Sequence, residues 1–120
     1  MDGAATAMAM LDRGTLPTAI VAYNDRAACG LIDVFWRSGV RVPQDLSIVG
    51  FDNIAEADMP HMSITTVEQR PDVLVTATVE TVTARIQGGP SRGLRLIPPG
   101  PLIVRSSSGP VRRDEILRPA

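Results

Sequence analysis

TAIVAYND (residues 18–25) and LSIVGFDN (residues 46–53) are the two stretches that decide the fold of this chain. Each begins with an apolar run that is rich in β-branched residues and lacks polar alternation, which is typical of a strand covered on both faces. Between them, apolar residues recur at helical spacing up to Gly39, with Asp25 as the predicted N-cap. Residues 18–50 are therefore predicted to form a β-α-β unit.

Both strands end in an aromatic residue followed by Asn and Asp side chains. Six residues share this placement: Tyr23, Asn24, Asp25, Phe51, Asp52 and Asn53. If the strands are parallel neighbours, these side chains meet at one edge of the sheet, where open α/β sheets bind small ligands. Carboxylates and amides with nearby rings suit a ligand that is dense in hydroxyl groups or ring nitrogens. Alternatively, Asp25 only caps a helix and Asp52 with Asn53 only forms a turn.

Shorter patterns predict the remaining elements. We expect a helix at residues 4–12, a helical turn within residues 53–62, a strand at residues 63–67, and short strands at Leu94–Ile97 and Leu102–Arg105. Pro71 is suited to the first turn of a further helix, which ends before Gly88. Its valines and threonines also permit a strand, but seventeen residues without a turn signal favour the helix.

The composition excludes several classes of protein. A length of 120 residues allows one compact domain, and no apolar run approaches the roughly 20 residues that span a bilayer. The formal charge of −1 and the pI of about 5.7 argue against a nucleic-acid-binding surface. The first residues do not resemble a secretory signal, so we expect a cytoplasmic protein. One cysteine and one histidine exclude a disulfide framework and a zinc centre, and we expect neither metal nor cofactor.

Catalytic chemistry has little support in the sequence. Asp25 and Asp52 could act as an acid–base pair, but no other type of titratable group lies near them in sequence. Cys29 follows a helix start among apolar residues, which is typical of a buried, inert thiol. His61 is interpreted as a loop or interface residue. No catalytic residues are predicted.

The order and spacing of several motifs resemble the lactose-repressor/galactose-repressor family of transcription regulators, from about residue 4 to about residue 110. The matching residues are Pro17–Ile20, Tyr23–Asp25, Gly30, Gly39–Pro43, Asp45–Asn53, Thr65–Val67 and Gln69. The resemblance implies an α/β fold: a three-layer, parallel-sheet lobe of a periplasmic-binding-protein-like (type I) fold, here incomplete. In that family two such lobes close on a sugar, nucleobase or similar effector.

The resemblance also implies roles for individual residues. Asn24 and Asp52 match residues that hydrogen-bond the effector, and we add the adjacent Tyr23, Asp25 and Phe51 as further effector-binding candidates. Residues 25–38 and 58–62 match regions that contribute to the family's dimer interface.

The domain organisation follows from the same resemblance. Residues 1–110 correspond to the C-terminal part of the effector domain, residues 71–97 belong largely to an otherwise missing first lobe, and residues 111–120 form a polar tail. No DNA-binding domain is recognised, so contact with DNA would need a domain outside this sequence. Val75, Val79, Val82 and Ile86 would lack much of their partner surface, which predicts self-association as a homodimer or a segment-exchanged oligomer.

Three functions fit these observations. The first is the ligand-sensing and dimerisation part of a transcriptional regulator, in which a bound effector alters DNA binding. The second is part of a periplasmic-type solute-binding protein for transport. The third, an enzyme that uses Asp25 and Asp52, would require turnover that a closed binding cleft does not provide.

Overall fold

A four-stranded mixed sheet with three α-helices forms the described structure. The computed structural model describes residues 2–89, 93 and 95–111. In chain order the elements are α1 (Gly3–Asp12), β1 (Ala19–Val21), α2 (Asp25–Arg37), β2 (Ser47–Asp52), a 3₁₀ helix (Ala55–Asp58), β3 (Thr65–Glu68), α3 (Pro71–Ile86) and β4 (Leu102–Ile103). The sheet order is β1-β2-β3-β4. The first three strands are parallel and β4 is antiparallel to β3, so the predicted β-α-β unit is confirmed.

The core lies where α2 packs against β2 and the start of β3. Phe35 of α2 and Ile48 of β2 are almost completely buried there, as are Leu46 and Ile64, which immediately precede β2 and β3. On its other side α2 packs against α1 at Gly30, where an added Cβ would lie 2.9 Å from the backbone nitrogen of Ala4. A glycine at this position therefore allows α1 to approach α2 closely.

Several predicted boundaries and one cap are wrong. The N-cap of α2 is Asn24, and Asp25 is the first residue of the helix. Strand β2 continues beyond the predicted apolar run to Asp52. In β1 the side chain of Val21 is 80% exposed, so that strand is covered on one face instead of two. Residues 95–97 do not form the predicted strand, and residue 94 lies outside the described residues.

The segment after β4 is part of the folded structure. Ser107 is buried; its hydroxyl donates to the carbonyl of Ile48 at 2.6 Å and accepts from the amide of Thr65 at 2.8 Å. Its backbone carbonyl also accepts from the amide of Ile48 at 2.8 Å. This serine therefore ties the end of the described chain to β2 and β3. The predicted polar tail, residues 111–120, lies outside the described residues except for Val111.

Helix α3 extends away from the rest of the structure. The radius of gyration is 18.8 Å, against roughly 14 Å for a compact chain of this length. Three threonine hydroxyls of α3 donate to carbonyls one turn earlier, as Thr81 does to Ala77 at 2.7 Å, so the threonine content is compatible with the helix. Only Ala77 is buried in this helix, whereas Val75, Val79 and Val82 are at least half exposed. The predicted apolar face exists and is uncovered.

None of the helices in the described ranges is long and apolar enough to cross a membrane.

Candidate functional site

The ends of β1 and β2 meet at one edge of the sheet. The two strands are parallel with Val21 beside Val49, and the amide of Ala22 donates to the carbonyl of Val49 at 2.8 Å. The chain then turns from β1 through Tyr23 and Asn24 into α2. The predicted convergence of the two strand ends is confirmed.

Asn24 connects this edge to the first turn of α2. It is half-buried, and its side-chain oxygen accepts a hydrogen bond from the amide of Ala27 at 2.9 Å. This bond satisfies one of the free N–H groups at the start of the helix. The side-chain nitrogen of Asn24 makes no hydrogen bond to the described residues. One half of the amide is thus structural, and the other half can donate to a ligand.

Asp52, the last residue of β2, has an unfavourable backbone conformation. Its φ of +111° is rarely adopted by residues other than glycine. The side chain is half-buried, and its carboxylate accepts no hydrogen bond from the described residues. Burial, and secondly the negative charge of Asp25, raise the pKa of Asp52. A strained, partly desolvated carboxylate at a ligand edge is typical of a binding residue that costs stability in the free protein.

Asp52→Asn is therefore expected to stabilise the free protein at neutral pH. Because the pKa of Asp52 is raised on folding, the folded chain holds a proton that the unfolded chain has already released between the two pKa values. Stability consequently falls as the pH rises through this window. The substitution removes that loss, so thermal unfolding followed by circular dichroism should show a gain at about pH 7 that fades near pH 3.

Asp33→Asn is the matched control for this prediction. Asp33 is paired with Arg37 on the surface at 3.0 Å, with its side chain 42% exposed. If the whole gain persisted at low pH, the charge of Asp52 would not be its cause.

Asp25 stabilises this edge of the sheet through hydrogen bonds inside the protein. It is fully buried, with one carboxylate oxygen accepting from the hydroxyl of Thr66 at 2.6 Å and the other from the amide of Ile54 at 3.0 Å. It therefore joins the start of α2 to β3 and to the loop that follows Asp52. Both oxygens are engaged within the protein, so the geometry supports a bracing role for Asp25 more than direct contact with a ligand.

The two aromatic residues occupy different surroundings. Tyr23 is 64% exposed at the rim of the edge. Phe51 is half-buried and lines a cavity of about 330 Å³ between the end of β2, the start of α3 and the returning chain. The other lining residues are Gln69, Arg70, Leu74, Ile97, Pro98 and Pro99. Phe51 thus presents its ring to a space large enough for a small molecule.

Sequence reasoning missed Arg105. Only 14% of its side chain is exposed, and the guanidinium donates to the side-chain oxygen of Asn53 at 2.9 Å, to the carbonyl of Ile64 at 2.8 Å and to Asp58 at 3.0 Å. Asn53, predicted to lie at the ligand edge, is thus held by protein groups. An arginine at the end of a short predicted strand gives no sign of these long-range contacts.

Other candidate residues have simpler explanations. Cys29 is half-buried, and burial together with the nearby negative charges of Asp25 and Glu56 raises the pKa of its thiol, which disfavours the reactive thiolate. No group of His, Cys, Asp and Glu side chains in the described ranges is arranged to hold a metal ion. His61 lies in the loop after the 3₁₀ helix and, with Trp36 of α2, lines an apolar groove of about 270 Å³.

The chain is similar to known transcription regulators. Residues 1–108 match the periplasmic binding protein-like domain family. The HTH-type transcriptional regulator DegA of Bacillus subtilis (strain 168) is 37% identical over 102 residues, which are 85% of this chain and 30% of that relative. The lactose operon repressor of Escherichia coli (strain K12) is 33% identical over 98 residues, which are 82% of this chain and 27% of the repressor.

A solved structure supports the same relationship. The lac repressor dimer bound to operator and the anti-inducer ONPF superposes with a TM-score of 0.79 at 31% identity, over 88% of this chain and 37% of that chain. The chain spans less than a third of the length of the two curated relatives.

Proposed function

Since this chain belongs to the periplasmic binding protein-like domain family, in the form found in lactose-repressor/galactose-repressor regulators, we propose that it is the effector-sensing and dimerisation part of a bacterial transcriptional regulator. The family match confirms the predicted resemblance and fold class, with a mixed instead of a purely parallel sheet. The proposed effector is a sugar or a nucleobase-like molecule. Binding alters the contact with DNA that a separate domain of the regulator makes.

The observation that carries this proposal is the placement of Asn24 and Asp52 at one edge of the sheet. They stand at the carboxyl ends of adjacent parallel strands, one with an unused amide nitrogen and the other with an unused carboxylate among the described residues. Together they offer one donor and one acceptor, which suits a hydroxyl group or a ring N–H with its neighbouring acceptor. Tyr23 adds an exposed ring next to Asn24 in the chain, whereas Phe51 lines the cavity beside α3, to which neither Asn24 nor Asp52 contributes.

The closing surface on the opposite side of the effector is proposed to come from the rest of the regulator. A real pocket buries about 70–90% of its ligand, and one strand edge cannot do so. The proposed domain assignment follows: residues 71–97 cross to the other lobe and Leu102–Ile103 returns to this one. The exposed faces of α3 support this assignment.

Effector binding is tested with Asn24→Ser and Asp52→Asn in the complete regulator that carries this chain. Neutral pentoses and hexoses, purine bases and nucleosides are titrated by calorimetry until a binder of the unmodified protein is found. Serine retains the helix cap but removes the amide donor, and asparagine retains the shape of Asp52 without its charge. Each substitution should weaken binding at least about tenfold, because Asn24→Ser removes the donor to the effector and Asp52→Asn replaces a charged acceptor with a weaker neutral one.

Asp33→Asn, on the exposed side of α2, is the control and should bind with unchanged affinity. Unchanged affinity in both site variants as well would refute the assignment of the edge.

Self-association is the second part of the proposed function. Trp36 is 71% exposed, and it lies beside Ile32, Val40 and His61 along a groove formed by α2 and the loop after the 3₁₀ helix. These are the regions that resemble the family's dimer interface. An exposed tryptophan next to an apolar groove supports contact with a second copy.

Three further assignments belong to the same proposal. The protein acts by binding and not by catalysis, which agrees with the naming of its relatives as regulators and repressors. Those names favour a regulator over a transport protein of the same fold. A cytoplasmic location follows from that role.

A further inference from the structure

Arg105 and Asn53 link the predicted effector residue Asp52 to the chain segments that leave and re-enter this part of the fold. Arg105 lies two residues after β4, and Asn53 directly follows Asp52. The side-chain oxygen of Asn53 accepts from the Arg105 guanidinium at 2.9 Å, while its side-chain nitrogen donates to the carboxylate of Glu68 at 3.3 Å. Both the oxygen and the nitrogen of the Asn53 side chain are thus hydrogen-bonded within the protein.

Glu68 is bonded to both crossing segments, which are the chain that leaves towards α3 and the chain that returns before β4. It ends β3, shortly before α3 begins, and it lies beside Asp52 in the sheet register. Its backbone amide donates to the carbonyl of Pro101 at 3.0 Å, and its carbonyl accepts from the amide of Gly100 at 2.9 Å. Glu68 is therefore joined to both the outgoing and the returning segment, and its side chain contacts Asn53.

The backbone at Asp52 needs support from such contacts. Asp52 has a φ of +111°, which is unfavourable for a residue with a side chain, and Asn53 has a φ of +57°, in the left-handed region that Asn adopts more readily than most residues. Arg105 fits the supporting role because its planar fork reaches three separate acceptors in Asn53, Ile64 and Asp58. A lysine carries the same charge but cannot span those acceptors.

We propose that Arg105 and Asn53 are positioning residues that hold Asp52 in its binding orientation and make that orientation depend on the two crossing segments. The proposal rests on the proposed function, because it takes Asp52 as the effector contact. In the complete regulator, movement of the other lobe would then change the orientation of Asp52 through Glu68 and Asn53. Arg105 would keep its position in this lobe.

The proposal is tested without a ligand by NMR on the 120-residue chain, with Arg105→Lys, Asn53→Gly and the control Arg37→Lys. The amide resonances of Asp52, Asn53 and Glu68 and the three-bond HN–Hα coupling of Asp52 report the local backbone. Glycine accepts a φ of +57°, so Asn53→Gly should fold while losing both side-chain contacts. In both site variants the coupling of Asp52 should change and the amide resonance of Glu68 should shift or broaden, with Ile48 and Phe35 unaltered.

Arg37→Lys alters an exposed pair with Asp33 and should leave Asp52 unchanged. A purely structural role for Arg105 would lower the thermal midpoint while the signals and the coupling of Asp52 stayed at their wild-type values, and that result would overturn the proposal. Because no effector is present, this outcome is independent of whether Asn24 and Asp52 bind one. Unchanged affinity in the calorimetric titrations would refute the function and leave the NMR result standing.

Discussion

Asp25→Ala is expected to lower the free energy of unfolding by about 3 kcal/mol. The carboxylate is fully buried and accepts two hydrogen bonds, from the hydroxyl of Thr66 and the amide of Ile54. Alanine leaves both donors without an acceptor and opens a space beside Gly50. Urea unfolding followed by circular dichroism measures the change, and Asp33→Ala should cost less than about 0.5 kcal/mol because its ion pair is exposed.

Gly50 provides a second, independent test of the buried contacts that Asp25 makes. A Cβ at position 50 would overlap the carboxylate oxygen of Asp25. Gly50→Ala should therefore cost about 2 kcal/mol or more in the wild-type chain and much less in the Asp25→Ala background. Additive effects of the two substitutions would contradict the packing of Asp25 against β2.

The second large effect concerns the uncovered face of α3. At concentrations of tens of micromolar, the isolated chain should have a mass of at least twice its monomer mass of 12.8 kDa by light scattering after size exclusion. Val75, Val79, Val82 and Ile86 are between 50% and 80% exposed along one side of the helix. Burying each such side chain contributes about 1.5–3 kcal/mol, which favours pairing with a second copy.

Val79→Glu combined with Val82→Glu should shift the chain towards the monomer, because two charges on that face oppose its burial. The matched control is Thr76→Glu with Thr83→Glu, which adds the same charge at exposed positions about a quarter-turn from the apolar face. A wild-type chain that stayed monomeric at all concentrations would contradict the prediction. Persistent association of the Val79/Val82 variant would instead assign the contact to the groove beside Trp36.

Local patterns predicted the elements well because each carries its own signal. The run from Thr18 to Ala22, the helical spacing after Asp25 and the position of Pro71 depend on neighbours within a few residues. The errors came where distant groups decide the outcome. Strand β2 extends to Asp52 because β3 pairs with it as far as Glu68, and β1 is open on one face because no described element covers Val21.

The candidate site shows the same difference between what local patterns predict and what distant groups decide. By itself the sequence predicted that Asn24 and Asp52 lie at the carboxyl ends of two strands of one β-α-β unit, which meet at one edge if the strands are parallel neighbours. Only the tertiary structure decided that Asp25 is turned inward to Thr66, and that Asn53 is held by Arg105 from 52 residues further along the chain. The positions of strands and helices along the chain follow from short-range hydrophobic patterns. The partner of a buried polar group depends on which distant donor or acceptor the fold brings within hydrogen-bonding distance, and no local pattern records that.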